Sequence, residues 1–244
     1  MLQCISIVFM RGFNFMKKFE AFTLAEVLVT LGIIGVVSAM TVPTLMQNYQ
    51  RQSYVTQLHK VYNEFSQAAE RYKNDNNYLN LSESRVRGNA DELKRFFNSY
   101  FKVVKDCGTR YTPCFASEYR SLSGSTNKIS NGQCNVVVVL ASGAAICADS
   151  ATMQDVDIEG SEDKVTSSNH VGSGGDVIAI EVDINGTKGP NIYGRDYFSF
   201  QIDRNGQVFD KFYAANGNAA KFDVNHPDNG LFGQIMADGW QMTY

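Results

Sequence analysis

The chain has 244 residues, 44% of them apolar and 19% charged, with a formal net charge of -3. That apolar content excludes a disordered chain, the slight acidity excludes a nucleic-acid binder held by a broad basic field, and four prolines with twenty glycines exclude a collagenous repeat. The length suits one globular domain plus a substantial appendage.

The chain opens on a short apolar stretch, MLQCISIVFM, with Met10 and Met16 as alternative starts. Arg11, Lys17 and Lys18, opposed only by Glu20, then precede the run from Phe22 to Val42, whose single charged residue is Glu26. As a helix this run crosses a hydrocarbon core of about 30 Å. By the positive-inside rule the N-terminus stays cytoplasmic and the remainder is exported. A carboxylate in the bilayer costs roughly 3 kcal/mol or more unless paired, so Glu26 is a functional candidate; the plainer reading is an acid that snorkels to the interface.

Beyond Pro43 the pattern turns from continuous to periodic. Val55, Leu58, Val61, Tyr62, Phe65, Ala69 and Tyr72 recur every three or four residues, predicting an amphipathic helix that continues the membrane one and ends at Asn74–Asn77. The whole would run about fifty residues, on the order of 80 Å. A second helix is predicted over Ala90–Val104, with Asn89 as N-cap, Glu92 closing a capping-box-like pair, and Leu93, Phe96, Phe97, Tyr100 and Val104 as its apolar stripe.

Cys107, Cys114, Cys134 and Cys147 cluster mid-chain, apart from Cys4. An even number in an exported domain predicts two disulfides, with three connectivities open. A zinc site competes, although neither spacing forms the short CxxC knuckle.

After Cys107 the texture is β. Val136–Leu140 and Ala144–Cys147 flank a Ser142-Gly143 turn, Val177–Ile184 alternates, and Tyr197–Ile202 and Gln207–Phe212 flank Arg204-Asn205-Gly206. The tail from Gln234 to Tyr244 reads as further β texture around an Asp238-Gly239 turn. Residues 155–173, acidic and Ser/Gly-rich, read as an exposed loop. His226-Pro227-Asp228 reads as a turn, and His59 and His170 stand in no HExxH, GxSxG or P-loop pattern, so the chain is not read as an enzyme.

Lys17-Lys18-Phe19-Glu20-Ala21 followed by Phe22-Thr23-Leu24-Ala25-Glu26 resembles the signal of type IV prepilins and type II secretion pseudopilins. The resemblance implies cleavage between Ala21 and Phe22 by a prepilin peptidase, an integral-membrane aspartyl protease, with N-methylation of Phe22 and retention of the apolar helix. The family usually keeps glycine before the cut, where this chain has Ala21. Glu26 falls at the fifth mature position, where the family keeps a glutamate, and Pro43 where many pilins carry a proline. Implied too are a partner for Glu26, the Phe22 amine of a neighbouring subunit, and a pilin-like α+β fold: a long transmembrane-to-amphipathic helix packed on an antiparallel sheet, with a second short helix.

The expected organisation is a cytoplasmic leader over 1–21, a long helix over 22–77 and an exported globular domain over 78–244. The expected location is a bacterial inner membrane, single-pass, with the domain periplasmic or on a surface filament. Losing three basic residues and one acidic residue with the leader takes the charge from -3 to -5, which gives no nucleic-acid site. Expected partners are the peptidase and other pilin or pseudopilin subunits. The alternative is a membrane-anchored binding module, for adhesion or DNA uptake, that never polymerises.

The segment Asp183-Ile184-Asn185-Gly186-Thr187-Lys188-Gly189-Pro190-Asn191, then Gly194-Arg195-Asp196, resembles a recurring loop of secretion-type pilin-like proteins. Oxygen ligands from Asp183, Asn185, Asn191 and Asp196 would suit calcium. The competing reading is a Gly/Pro-punctuated connection whose Asp and Asn residues cap their own backbone. No other cofactor is expected.

Overall fold

A computed structural model describes residues 23–86, 88–128, 134–150, 176–210 and 230–244. The chain is α+β and divides into two compact units, Met1–Met46 and Gln47–Tyr244. The boundary falls inside the first helix, α1, which spans Leu24–Asp75 and runs through Pro43 without interruption.

The first unit contains the apolar part of α1. Every side chain from Thr23 to Gln50 is exposed, including Leu28, Ile33, Val37 and Leu45. This is the one helix among the described residues long and apolar enough to cross a membrane. Two hydroxyls in the stretch bond back to the helix, Thr30 Oγ1 to the Val27 carbonyl at 3.0 Å and Thr41 Oγ1 to that of Val37 at 2.9 Å. Such back-bonding satisfies polar atoms that hydrocarbon would leave unpaired.

In the second unit α1 becomes amphipathic as expected. Val55, Leu58, Val61, Phe65, Ala68, Ala69 and Tyr72 are buried, and Phe65 is the hub. Its ring lies 5.9 Å from that of Phe97, 4.7 Å from Phe101 and 5.3 Å from Phe200, tying α1 to the second helix and the sheet.

The second helix, α2, spans Ala90–Tyr100, shorter than the Ala90–Val104 expected. Phe101 takes an extended conformation, and the β-branched pair Val103-Val104 passes into the first strand, β1, Val103–Asp106. Val104 is therefore exposed and leaves the predicted stripe, whereas Leu93, Phe96 and Phe97 are buried. Asn89 caps as expected, its side chain accepting from the Asp91 and Glu92 amides. The Glu92 carboxylate accepts instead from the Tyr72 hydroxyl at 3.2 Å and from Arg95 at 2.9 Å, so it does not close the capping box.

The remaining strands are β2 (Glu118–Arg120), β3 (Thr126–Lys128), β4 (Val136–Leu140), β5 (Ala145–Ser150), β6 (Asp176–Asp183), β7 (Tyr197–Asp203) and β8 (Val208–Asp210). They form an antiparallel sheet in the order β1-β4-β5-β6-β7-β8 and a separate β2-β3 hairpin. The disulfides are Cys107–Cys114 and Cys134–Cys147, which resolves the three open connectivities and removes the zinc reading. Cys147 sits on β5 opposite Val137, while Cys134 precedes β4, so strand pairing itself brings the second pair together.

The tail corrects a second expectation. Residues Leu231–Ala237 form a helix, α3, in place of β structure, because Leu231, Phe232 and Ile235 bury one helical face. The Asp238-Gly239 pair is its C-cap. Gly239 has φ 68°, its amide bonds the Met236 carbonyl, and the Trp240 amide bonds that of Ile235, the Schellman arrangement that favours glycine. Trp240 then stacks on His59 of α1 at 4.0 Å. The expectations for residues 155–173, His170, Phe212 and His226-Pro227-Asp228 lie outside the described residues.

Candidate functional site: the capped apolar helix and the Asp/Asn loop

Ala21 and Phe22, the expected processing junction, lie outside the described residues. Glu26 lies in the first turn of α1, facing Thr23. The Thr23 amide and hydroxyl donate to its Oε2 at 2.9 and 2.8 Å, and the Glu26 amide approaches Thr23 Oγ1 at 3.3 Å. This reciprocal pair is a capping box, and T-x-x-E at Thr23–Glu26 is its sequence signature, a signal independent of the charge in the apolar run. Both donors use Oε2, so Oε1 has no donor among the described residues. Chemically, the turn fixes one carboxylate at the start of an exposed apolar helix, with one oxygen left for an outside cation or amide.

Pro43, the third expected assembly residue, is exposed on the same stretch. It lacks the N–H that would bond back to the carbonyl of Ala39, which leaves the helix easier to bend there.

The second cluster lies between β6 and β7. Asp183 and Asp196 are both fully buried, and the structure draws Asp183, Asn185, Asn191 and Asp196 into one hydrogen-bonded group. Asp183 accepts from the Tyr119 hydroxyl and, at 3.1 Å, from the Asn185 amide. Asp196 accepts from the Asn191 and Ile192 amides at 2.8 and 2.7 Å and from the Asn185 side-chain amide at 3.4 Å. The Oδ1 atoms of Asn185 and Asn191 are buried without a hydrogen-bond partner among the described residues. Two buried carboxylates and two unpaired amide oxygens are the donor types a hard cation takes, yet the carboxylates also brace the loop through its own amides. Gly194 permits the tight return to Asp196. Its φ is 77°, and a Cβ there would lie 2.8 Å from Leu231 Cδ1, so any side chain meets both strain and a clash.

Burial pushes the Asp183 carboxyl up to about 8, against the opposing pull of the Tyr119 hydrogen bond. Burial also raises Asp196, opposed by the Ile192 and Asn191 amides. A carboxyl raised above its unfolded value binds a proton more tightly when folded, so its stabilising contribution is complete below pH about 4 and disappears as pH rises through about 8. In the presence of a chelator, the melting temperature is therefore expected to fall between pH 4 and pH 8, and Asp183→Asn to flatten that slope. Thermal denaturation followed by circular dichroism at several pH values checks this; an equal slope in both proteins would contradict it.

Comparison with protein-family models, with curated proteins and with solved structures gave no match.

Proposed function

We propose that this chain is a pilin-type structural subunit, cut before Phe22 and assembled through its N-terminal helix into a type IV pilus or type II secretion pseudopilus. The observation that carries the reading is the two-part character of α1: a wholly exposed apolar stretch with one capped acid in its first turn, followed by a stripe buried in the domain. A simple anchor needs the first part, but it needs no acid at that place. In a filament Glu26 gains a cationic partner, the Phe22 amine of the next subunit, and the apolar stretches pack together in place of lipid. The disulfides suit an exported domain, and the basic residues before Phe22 suit a cytoplasmic N-terminus in a bacterial inner membrane.

The test is cross-linking of cells that carry the filament machinery, read on denaturing gels. A ladder of dimers and higher species is expected. A monomer alone would favour the membrane-anchored binding module.

We further propose that the Asp183, Asn185, Asn191 and Asp196 loop takes calcium, supported by the two buried amide oxygens that have no donor. Isothermal titration of the full protein is expected to show binding that Asp183→Ala removes, and calcium at a hundredfold its Kd to stabilise the fold by about 2.7 kcal/mol. No heat with the unsubstituted protein would end the idea.

A further inference from the structure

After α3 the chain continues as an irregular segment, Asp238–Tyr244, that makes contacts at both ends. Near its start Trp240 stacks on His59 of α1, with ring centroids 4.0 Å apart at 24°, and lies 5.0 Å from the ring of Tyr62. Trp240 holds φ 61°, a left-handed conformation that costs a bulky residue roughly 1–3 kcal/mol and persists only where the surroundings impose it. The stack on α1 supplies that hold.

Further on, the segment grips the turn that leads into β7. The Tyr244 hydroxyl donates to the Gly194 carbonyl at 3.0 Å, Arg195 Nη1 donates to the Met242 sulfur at 3.0 Å, and the Arg195 guanidinium lies 5.6 Å from the Tyr244 ring centroid. There is no slack at this grip, because a Cβ on Gly194 would already lie 3.3 Å from the Tyr244 hydroxyl.

These contacts bear on the Asp/Asn loop because Arg195 is the residue next to Asp196. A thioether and an aromatic face are weak partners for a guanidinium, whereas a carboxylate takes it in a charge-assisted, bidentate pair. Adjacent Cα atoms are about 3.8 Å apart, so the Asp196 carboxylate is within reach of a freed Arg195. Yet among the described residues no ion pair joins the two, and the Asp196 oxygens accept from the Asn191 and Ile192 amides. A guanidinium on Asp196 would exclude a cation from the loop, since both need the same oxygens and like charges repel.

We propose that Asp238–Tyr244 is a strap that holds Arg195 off Asp196, so that calcium binding in the Asp/Asn loop is coupled to the seating of Trp240 on α1. The proposal rests on the calcium reading of that loop. With the strap seated, Arg195 is engaged by Met242 and Tyr244, and the carboxylates stay open to the cation. With the strap released, Arg195 pairs with Asp196 and calcium is displaced. Such coupling is reciprocal, so bound calcium also favours the seated strap.

The full chain in detergent is titrated with calcium while heat and tryptophan emission are recorded. Trp240 is the only tryptophan of the chain, so the emission reports the strap. It is expected to change and to saturate together with the heat. His59→Leu, which removes the stacking partner on α1, is expected to bind calcium about fivefold more weakly. Adding Arg195→Gln to it is expected to restore the affinity, because the competitor is then gone. Met242→Leu, which keeps the volume and removes the sulfur, gives a second release of Arg195 and should weaken binding in the same way. Matching circular dichroism spectra establish that the variants are folded. Heat without a change in emission would overturn the strap and leave the calcium reading standing, as would affinities of His59→Leu and Met242→Leu equal to that of the unsubstituted protein. Weaker binding that Arg195→Gln does not restore would assign the effect to packing and overturn the strap as well. Absence of heat from the unsubstituted protein would end the calcium reading and the strap with it.

Discussion

Glu26→Ala is expected to leave the domain folded and to remove the cross-linked ladder. The carboxylate caps the first turn through Thr23, and in the proposed filament its Oε1 would also meet a donor from the next subunit. Loss of a capping interaction costs about 1 kcal/mol and would fray the turn. Loss of a charge partner within the bilayer costs roughly 3 kcal/mol, equivalent to about two orders of magnitude in association between subunits. Glu26→Gln distinguishes them, because glutamine can still close the capping box but carries no charge. Both variants should fail to assemble. A ladder of ordinary intensity from Glu26→Gln would show that the cap alone matters, and the assembly role of the charge would be lost.

Phe65→Ala is expected to have the largest effect on stability. The side chain is fully buried and its ring meets Phe97, Phe101 and Phe200, so truncation opens a cavity where α1, α2 and β7 converge. Such a substitution costs about 3–5 kcal/mol. Domains of this kind are stable by about 5–15 kcal/mol, so a large share would go. Urea denaturation of the full chain in detergent measures it through the shift in midpoint at unchanged slope. A loss below about 1 kcal/mol would mean that the amphipathic half of α1 is not integral to the domain.

What could be read from the sequence divides along physical lines. The stripe of α1 was visible because six of its seven predicted positions, Val55 through Tyr72, alternate with polar residues at helical spacing and are buried; Tyr62 is half-buried. The hairpin at Arg204-Asn205-Gly206 carries its own turn chemistry, with Asp203 accepting from the Asn205 and Gln207 amides. Glu118–Arg120 and Thr126–Lys128 were not visible, since three-residue strands of polar composition show no alternation. Val104 reads as part of α2 because an apolar residue at helical spacing also suits an edge strand, and here the β-branched pair decides. The α3 helix was hidden by its shortness and by an Asp-Gly pair that caps helices as readily as it turns hairpins.

At the candidate sites the residues were legible and their surroundings were not. Asp183 and Asp196 sit in a Gly/Pro-rich segment that reads as surface, yet β6, β7 and Tyr119 enclose them completely. The cysteine pairing needed the β4–β5 register.

In the proposed pilin-type subunit the apolar helix begins as a processed N-terminus. Co-expression with a prepilin peptidase, followed by intact and N-terminal mass spectrometry, tests it most directly. A mature chain that starts at N-methylated Phe22 is expected. An uncut chain, or one that retains Ala21, would contradict it.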